Sequence, residues 1–296
     1  LKSVESVLEQ SEKNIELIIV DDASDDNTEE VVASVEDRRV RYFRLLANRG
    51  AGTARNYGVS LARSEIIAFQ DSDDVWLPNK LEIQLKHFDH AKNQDLIVFS
   101  RFWRTEDATD YGLIVPSISL HPSGEHLADV EWPARLTEKN YIGMPVVLLS
   151  RRLFERVGGF EPKLAALEDW ELFIRLSFVG TFLFVPQVLA ISYCTPGSVS
   201  GNRFQNWRAL TFILDRHEEL FKTQRNSYAK WLHIAGYGAF KQGDAKNARA
   251  YFLKALMWAR FREKPKNLAA TIFSISPDSY FQIKRYMVDF YRKVIK

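Results

Sequence analysis

The chain has 296 residues, 46% of them hydrophobic and including 20 Phe, 11 Tyr and 7 Trp, which supports a sizeable core and excludes wholesale disorder. A formal net charge of +2 gives no general drive towards nucleic acid, so none is expected as a partner. The single cysteine, Cys194, excludes an internal disulfide and a multi-cysteine zinc site and suits a reducing compartment, and no apolar run is long enough to span a bilayer.

The opening LKSVESVLEQ reads as a helix with Leu1, Val4, Val7 and Leu8 on one face; it has neither an initiator methionine nor a signal-peptide pattern, and an upstream element is expected. Short apolar runs and helical periods then alternate. Strands are predicted at 15–20, 40–45, 65–70, 95–100 and 144–149, and helices at 26–36, 52–63, 78–92, 150–157 and 168–179. This is an α/β alternation, the pattern of a mainly parallel sheet covered by helices. Residues 103–142 lack periodicity and read as a long loop of the kind that is often functional.

From about residue 204 only helical periods remain, which divides the chain into an α/β domain at 1–203 and a helical region at 204–296. Within the latter, GYGAFKQGDAKNARAYFLKAL resembles one tetratricopeptide-type hairpin, with Gly243-Asp244 as the turn and Ala248, Phe252 and Ala255 inward. One such unit cannot form a solenoid; it reads as a helical appendage or as a partner-binding surface. The last helix, SYFQIKRYMVDFYRKVIK, is basic and aromatic, and either packs on the core or lies on an anionic membrane surface.

Three segments concentrate polar chemistry at strand ends. In ELIIVDDASDDNT a buried strand delivers Asp21 and Asp22 to its carboxyl end, where open α/β sheets bind ligands, while Asp25 or Asp26 is suited to cap the next helix. A calcium loop is excluded there, because no glycine occupies the sixth position and no glutamate the twelfth. In NRGAGTARNYG, Gly50 and Gly52 permit a tight turn into a helix whose N-terminus can face phosphate, with Arg55 as a charged fork. A dinucleotide fingerprint fits poorly, since Arg55 stands where the third glycine belongs.

The third segment, AFQDSDDVWLP, places three carboxylates in four positions. Asp71 and Asp73 form a D-x-D pair whose oxygens suit Mg²⁺ or Mn²⁺, an ion that neutralises their repulsion and shares its coordination with phosphate. Asp74 is expected to cap a helix beginning near Leu77-Pro78. Further on, LEDWELFIRL starts a helix with Glu168 and Asp169 in its first turn, ordinarily a favourable dipole arrangement, and Trp170, Phe173, Ile174 and Leu176 available for packing. The six histidines form no convincing metal set, Cys194 has the context of a structural residue, and Trp103, Trp132, Tyr141 and Trp207 suit core packing or sugar stacking.

Taken in order, SVLEQS, ELIIVDDASDDNT, NRGAGTARNYGVSLARSEIIAFQDSDDVWLPNKLEIQL, GGFEPKLAALEDWELFIRL and YCTPGSVSGN resemble a family 2 inverting glycosyltransferase of GT-A fold over residues 1–201. Members usually begin with a strand ending in a Pro-Thr-Tyr-Asn-like turn, so by resemblance the chain is N-terminally incomplete. The resemblance implies a Rossmann-like mixed sheet flanked by helices and a cytoplasmic hexosyltransferase, able to contact the inner face of the plasma membrane through its C-terminal helices. It moves a sugar from a nucleotide-diphosphate donor, UDP-linked by expectation, to a saccharide, lipid-linked or protein glycan acceptor in cell-envelope polysaccharide synthesis.

The same resemblance implies residue roles. Asp22, with Asp21, contacts the nucleoside; Arg55 lies near the nucleotide; Asp71 and Asp73 hold the metal, Asp71 also touching the nucleotide; Asp169 is the catalytic base, with Glu168 and Trp170 on the acceptor side. In YCTPGS, Thr195 stands where many relatives have a histidine. Two alternatives share the fold: an inactive nucleotide-binding scaffold, and a nucleotidyltransferase, which needs a basic triphosphate loop near its start.

Overall fold

Two hydrogen-bonded sheets organise the strands of this computed structural model, which describes residues 1–90, 95–105, 131–193 and 206–259. β1 (Leu17–Asp21) pairs in parallel with β2 (Val40–Arg44), Asp21 lying opposite Arg44. The second sheet contains β3 (Ile66–Ala68), β4 (Val75–Trp76), β5 (Leu96–Thr105), β6 (Val147–Ser150) and β7 (Thr181–Tyr193), in the order β3-β6-β5-β7-β4. Within it only β5 and β7 are parallel; β6 inserts antiparallel to both β3 and β5, and β4 antiparallel to β7. The sheet is therefore mixed rather than mainly parallel. Alternation of strand and helix identifies the strands but not the direction in which a late strand inserts.

Helices cover the sheets: α1 (Lys2–Leu8), α2 (Thr28–Ala33), α3 (Ala51–Leu61), α4 (Lys80–His90), α5 (Trp132–Leu136), α6 (Arg151–Arg156) and α7 (Glu168–Leu176). β5 is buried on both faces, Leu96, Ile97, Val98 and Phe99 all being inaccessible, as expected of a central strand. α5 closes over it, Trp132 stacking on Phe182 at 4.9 Å and meeting Phe99 edge-on. Thus 103–105 and 132–136 of the predicted long loop are strand and helix. Its residues 106–130 lie outside the described residues, as do Cys194, Thr195 and the predicted terminal helix.

β7 escapes the sequence pattern because Pro186 interrupts its apolar run. The ladder accommodates the proline by slipping: Ser100 pairs with Val185 but Arg101 with Val188, so Pro186 and Gln187 bulge out where no ladder N–H is required.

The buried face of α1 keeps Val7 of the apolar set but is otherwise polar. Leu1 is exposed, whereas Ser3, Ser6, Val7 and Gln10 are buried. These polar side chains satisfy backbone in the segment after β3: Ser3 Oγ donates to Asp71 O at 2.9 Å, Ser6 Oγ accepts from Trp76 N at 3.1 Å, and Gln10 bridges Leu77 O and Leu81 N. An irregular loop carrying three acids is thereby held by neutral hydrogen bonds.

Lys80 is fully buried at the start of α4, its Nζ 4.0 Å from the Trp76 ring and without a hydrogen-bond acceptor among the described residues. Burial pushes the amine down to about 7, an effect that the Trp76 face opposes by attracting the protonated form. An amine depressed on folding binds fewer protons than in the unfolded chain, so its contribution to stability rises with pH from about 7 to about 10.5. Lys80→Met, which retains the stem, is expected to raise stability at pH 7.5 by about 1–2 kcal/mol and to flatten that pH dependence. Urea melts at pH 7 and 9 read both effects.

By internal contacts the chain divides into two compact units, Leu1–Ser198 and Val199–Lys296. The second holds α8 (Trp207–Arg216), α9 (Glu218–Thr223), α10 (Arg225–Lys241) and α11 (Ala245–Trp258). α10 and α11 form a hairpin about Gly243, at φ 78°, with Asp244 capping α11 through Asn247 N and with Ala248, Phe252 and Ala255 inward. Gly236 admits the Phe252 ring, which lies 2.7 Å from where a Cβ would stand. Among the described residues no helix is long and apolar enough to cross a membrane.

Candidate active site

β1 ends in Asp21 and Asp22, and the two diverge. Asp21 is buried and accepts from Tyr42 Oη at 2.6 Å and Ser24 N at 2.8 Å. Burial alone raises its carboxyl, but the Tyr42 and Ser24 donors outweigh that and hold it below the ordinary range. Asp22 turns the other way: its two oxygens accept from Arg49 N and Gly50 N, both at 2.7 Å. It thereby ties the end of β1 to the start of α3, where Gly50 adopts φ 87°. Ala23, next in the chain, is held at φ 61°, an unusual conformation for a residue with a Cβ.

α3 presents Arg55 and Asn56 to the segment before α7. Arg55 Nη2 donates to Asp71 Oδ1 at 2.6 Å and its Nη1 to Glu168 Oε1 at 2.7 Å, over the Phe160 ring. Burial opposes its charge, yet the two carboxylates outweigh that and hold the guanidinium firmly protonated. One cation thus joins the D-x-D segment to the Glu-Asp pair, residues 97 apart in sequence from Asp71 to Glu168 (168 − 71).

Asn56, which sequence reasoning passed over although it adjoins Arg55, makes a reciprocal pair with the Phe160 backbone, 2.8 Å each way. The small residues of this helix have a packing role: a Cβ on Gly52 would stand 3.2 Å from Phe160 Cβ and 3.6 Å from Glu168 Cγ. Gly159 adopts φ 67°, and a Cβ there would meet Asn56 Oδ1 at 2.5 Å. Gly159→Ala is expected to cost about 2–4 kcal/mol, combining left-handed strain with loss of the Asn56 pair; urea denaturation measures it.

The three acids of the D-x-D segment have separate fates. Asp71 meets Arg55, and Asp73 lies exposed in the turn. Asp74 is buried and accepts from Tyr193 N at 3.1 Å, linking the turn to the end of β7. It does not cap α4, which begins only at Lys80, because its side chain is drawn inward to the Tyr193 N–H at the end of β7. Burial, then the charges of Asp71 and Asp73, push Asp74 up to about 7. Among the described residues no cluster of three or more His, Cys, Asp or Glu could hold a metal by itself. Two carboxylates in one turn do fit Mg²⁺ or Mn²⁺, ions that complete their shells with phosphate oxygens and water.

α7 starts from Leu167, held at φ 60°. Glu168 is partly buried on Arg55. Asp169 is partly accessible and makes no salt bridge among the described residues; its Oδ2 accepts from Asn140 Nδ2 at 2.8 Å and its Oδ1 from Trp170 N at 2.7 Å. Burial, then the Glu168 and Asp71 charges, drive its carboxyl well above the ordinary range, against the Trp170 N–H and Arg55. Trp170 is turned into the core, its indole N–H donating to Leu136 O at 2.7 Å, so its ring supports the 137–143 segment rather than facing solvent. Next in the helix, fully buried Glu171 binds Arg175, which also donates to Val157 O and Gly159 O and clamps the glycine turn to the helix.

Comparison with known proteins accords with this architecture. Residues 1–137 match the sequence model of glycosyl transferase family 2. The chain is 23% identical over 286 residues to an uncharacterized glycosyltransferase of Haemophilus influenzae, covering 95% of this chain and 93% of that protein. It is 42% identical over 94 residues to the succinoglycan biosynthesis protein ExoO of Rhizobium meliloti, covering 32% and 27%. Other curated relatives are longer, the match spanning 57% of one Rickettsia glycosyltransferase and 24% of another. Among solved structures, S. aureus TarS 1-349 in complex with UDP-GlcNAc superposes with a TM-score of 0.66 at 15% identity, over 97% of this chain and 86% of that one. Over residues 1–137 the chain therefore carries the sequence features of glycosyl transferase family 2, and its mixed α/β fold is that of GT-A glycosyltransferase structures such as TarS.

Proposed function

We propose that the protein is an inverting glycosyltransferase that moves a hexosyl group from a UDP-linked donor to an acceptor hydroxyl in polysaccharide synthesis. The observation that carries this reading is the Arg55 bridge, which joins Asp71 of the D-x-D segment to Glu168 beside Asp169, while Asp169 makes no ion pair among the described residues. Two comparisons support the donor and pathway class: TarS was crystallised with UDP and with UDP-GlcNAc, and ExoO acts in succinoglycan biosynthesis.

In this reading Asp22 and Asp21 organise the nucleoside side, and Arg55 offers its guanidinium near the diphosphate. Asp71 and Asp73 would hold Mg²⁺ or Mn²⁺, which would supply positive charge to the diphosphate. Asp169 accepts the proton of the acceptor hydroxyl as that oxygen bonds to the anomeric carbon. The bond from that carbon to the diphosphate breaks on the opposite face, its electron pair leaving with the diphosphate, so the anomeric centre inverts. Glu168, fixed by Arg55, keeps α7 and its base against the donor side.

Calorimetry with UDP, together with hydrolysis of UDP-GlcNAc in Mn²⁺ or in EDTA, tests the reading. Binding and hydrolysis that both require Mn²⁺ are expected. UDP binding without turnover of any UDP-sugar would favour the inactive scaffold, and no binding in either condition would remove the reading.

A further inference from the structure

We infer that Asn140 is a positioning residue for Asp169, its side-chain amide setting the orientation and proton affinity of that carboxylate; this rests on the reading of Asp169 as the base. Nothing in the sequence motifs points to it. Its Nδ2 donates to Asp169 Oδ2 at 2.8 Å, while its Oδ1 accepts from Ile142 N at 3.2 Å. That second bond fixes which end of the amide faces Asp169: with the amide reversed, two donors would meet at Ile142 and two acceptors at Asp169.

The segment carrying Asn140 is secured on both sides. Upstream, Trp170 Nε1 donates to Leu136 O at 2.7 Å, and Thr137 is buried with its hydroxyl on Ala134 O. Downstream, Ile142 and Met144 are buried. Asn140 is therefore presented to α7 from a rigid tether, the condition under which an orienting hydrogen bond maintains geometry.

A neutral donor suits this position. The carboxylate already feels the charges of Glu168 on its own helix, Asp71 from the segment after β3, and Arg55 from α3. On the tether itself, Arg135 pairs with Glu138, Tyr141 donates to Glu138, and Lys139 lies over the Tyr141 ring at 4.8 Å, so these groups are engaged with one another. An amide orients Oδ2 and favours its ionised form without adding a charge. With Trp170 N–H on Oδ1, each oxygen has one fixed donor and keeps lone-pair capacity for a proton.

The test combines ¹³C-carboxyl titration of Asp169 with Mn²⁺-dependent hydrolysis of UDP-GlcNAc, in the full chain and in Asn140→Ala and Asn140→Asp. Asn140→Ala is expected to raise the Asp169 midpoint by about one pH unit and to lower kcat about 10- to 100-fold with KM unchanged. Asn140→Asp sets a second carboxylate against the first and should move the rate inflection further upward, giving a readout that loss of fold cannot mimic. Unchanged titration and kcat, with only a lowered melting temperature, would make Asn140 a structural staple and overturn the inference. Asp169→Asn separates this from the underlying reading: full turnover by that variant refutes the base, whereas an unmoved Asp169 titration in Asn140→Ala refutes the contact.

Discussion

Asp169→Asn is expected to lower donor hydrolysis and sugar transfer by about 10²- to 10⁴-fold, the range of a general base, while UDP binding persists. The substitution is nearly isosteric, and an amide oxygen can still accept from Asn140 or from Trp170 N. Stability should hold or rise. A carboxyl whose proton affinity is raised on folding binds more protons folded than unfolded, so it loses stability as pH climbs through that interval, and the amide removes the loss. The same raised affinity places the wild-type rate inflection well above the ordinary carboxylate range: activity should increase with pH as the base ionises and flatten once it is fully charged. Steady-state hydrolysis from pH 4 to 9, beside calorimetry on the variant, checks both.

Arg55→Met is expected to be the most damaging single change to the site's architecture. The guanidinium is 17% exposed and answers two carboxylates on separate elements, one 32% and one 15% exposed. Removing it leaves two like charges, both partly buried, without the cation between them. Breaking a buried pair costs about 3–5 kcal/mol, and partial exposure of Asp71 reduces that to about 2–3 kcal/mol. Because the bridge also locates the D-x-D segment against α7, UDP-GlcNAc hydrolysis should fall at least about 100-fold even at temperatures where the variant is folded. Arg55→Lys should recover little of either loss, since a single ammonium cannot reproduce two forked contacts. Urea melts and hydrolysis at low temperature separate the two effects.

Much of this site could be read before any coordinates. β1 ends at Asp21, and the acids at 71, 73 and 74 follow a strand, because apolar runs bounded by polar clusters mark strand ends. Other features were hidden for physical reasons. The direction of β6 depends on tertiary insertion, and β7 is masked by a proline that only a bulge can accommodate. The buried face of α1 and the residues after it run through Ser3, Ser6 and Gln10 beside Val7, since its partner is loop backbone that needs hydrogen bonds as well as an apolar surface. Asn56 and Asn140 carry no charge and fall in no spacing rule; their importance lies in the backbone and carboxylate groups the fold brings to them. Asp74 shows the converse, an acid that looked like a helix cap and instead satisfies a strand-end N–H.

The most direct test of transfer with Asp169 as base is the configuration of the sugar first released. Wild-type protein with Mn²⁺ and UDP-GlcNAc, or whichever UDP-sugar it hydrolyses, is followed by proton NMR before the free sugar equilibrates. Attack from the face opposite the diphosphate predicts that the β anomer appears first from an α-linked donor, and that Asp169→Asn releases neither anomer at a comparable rate. The α anomer appearing first, or Asp169→Asn turning over like wild type, would contradict the mechanism.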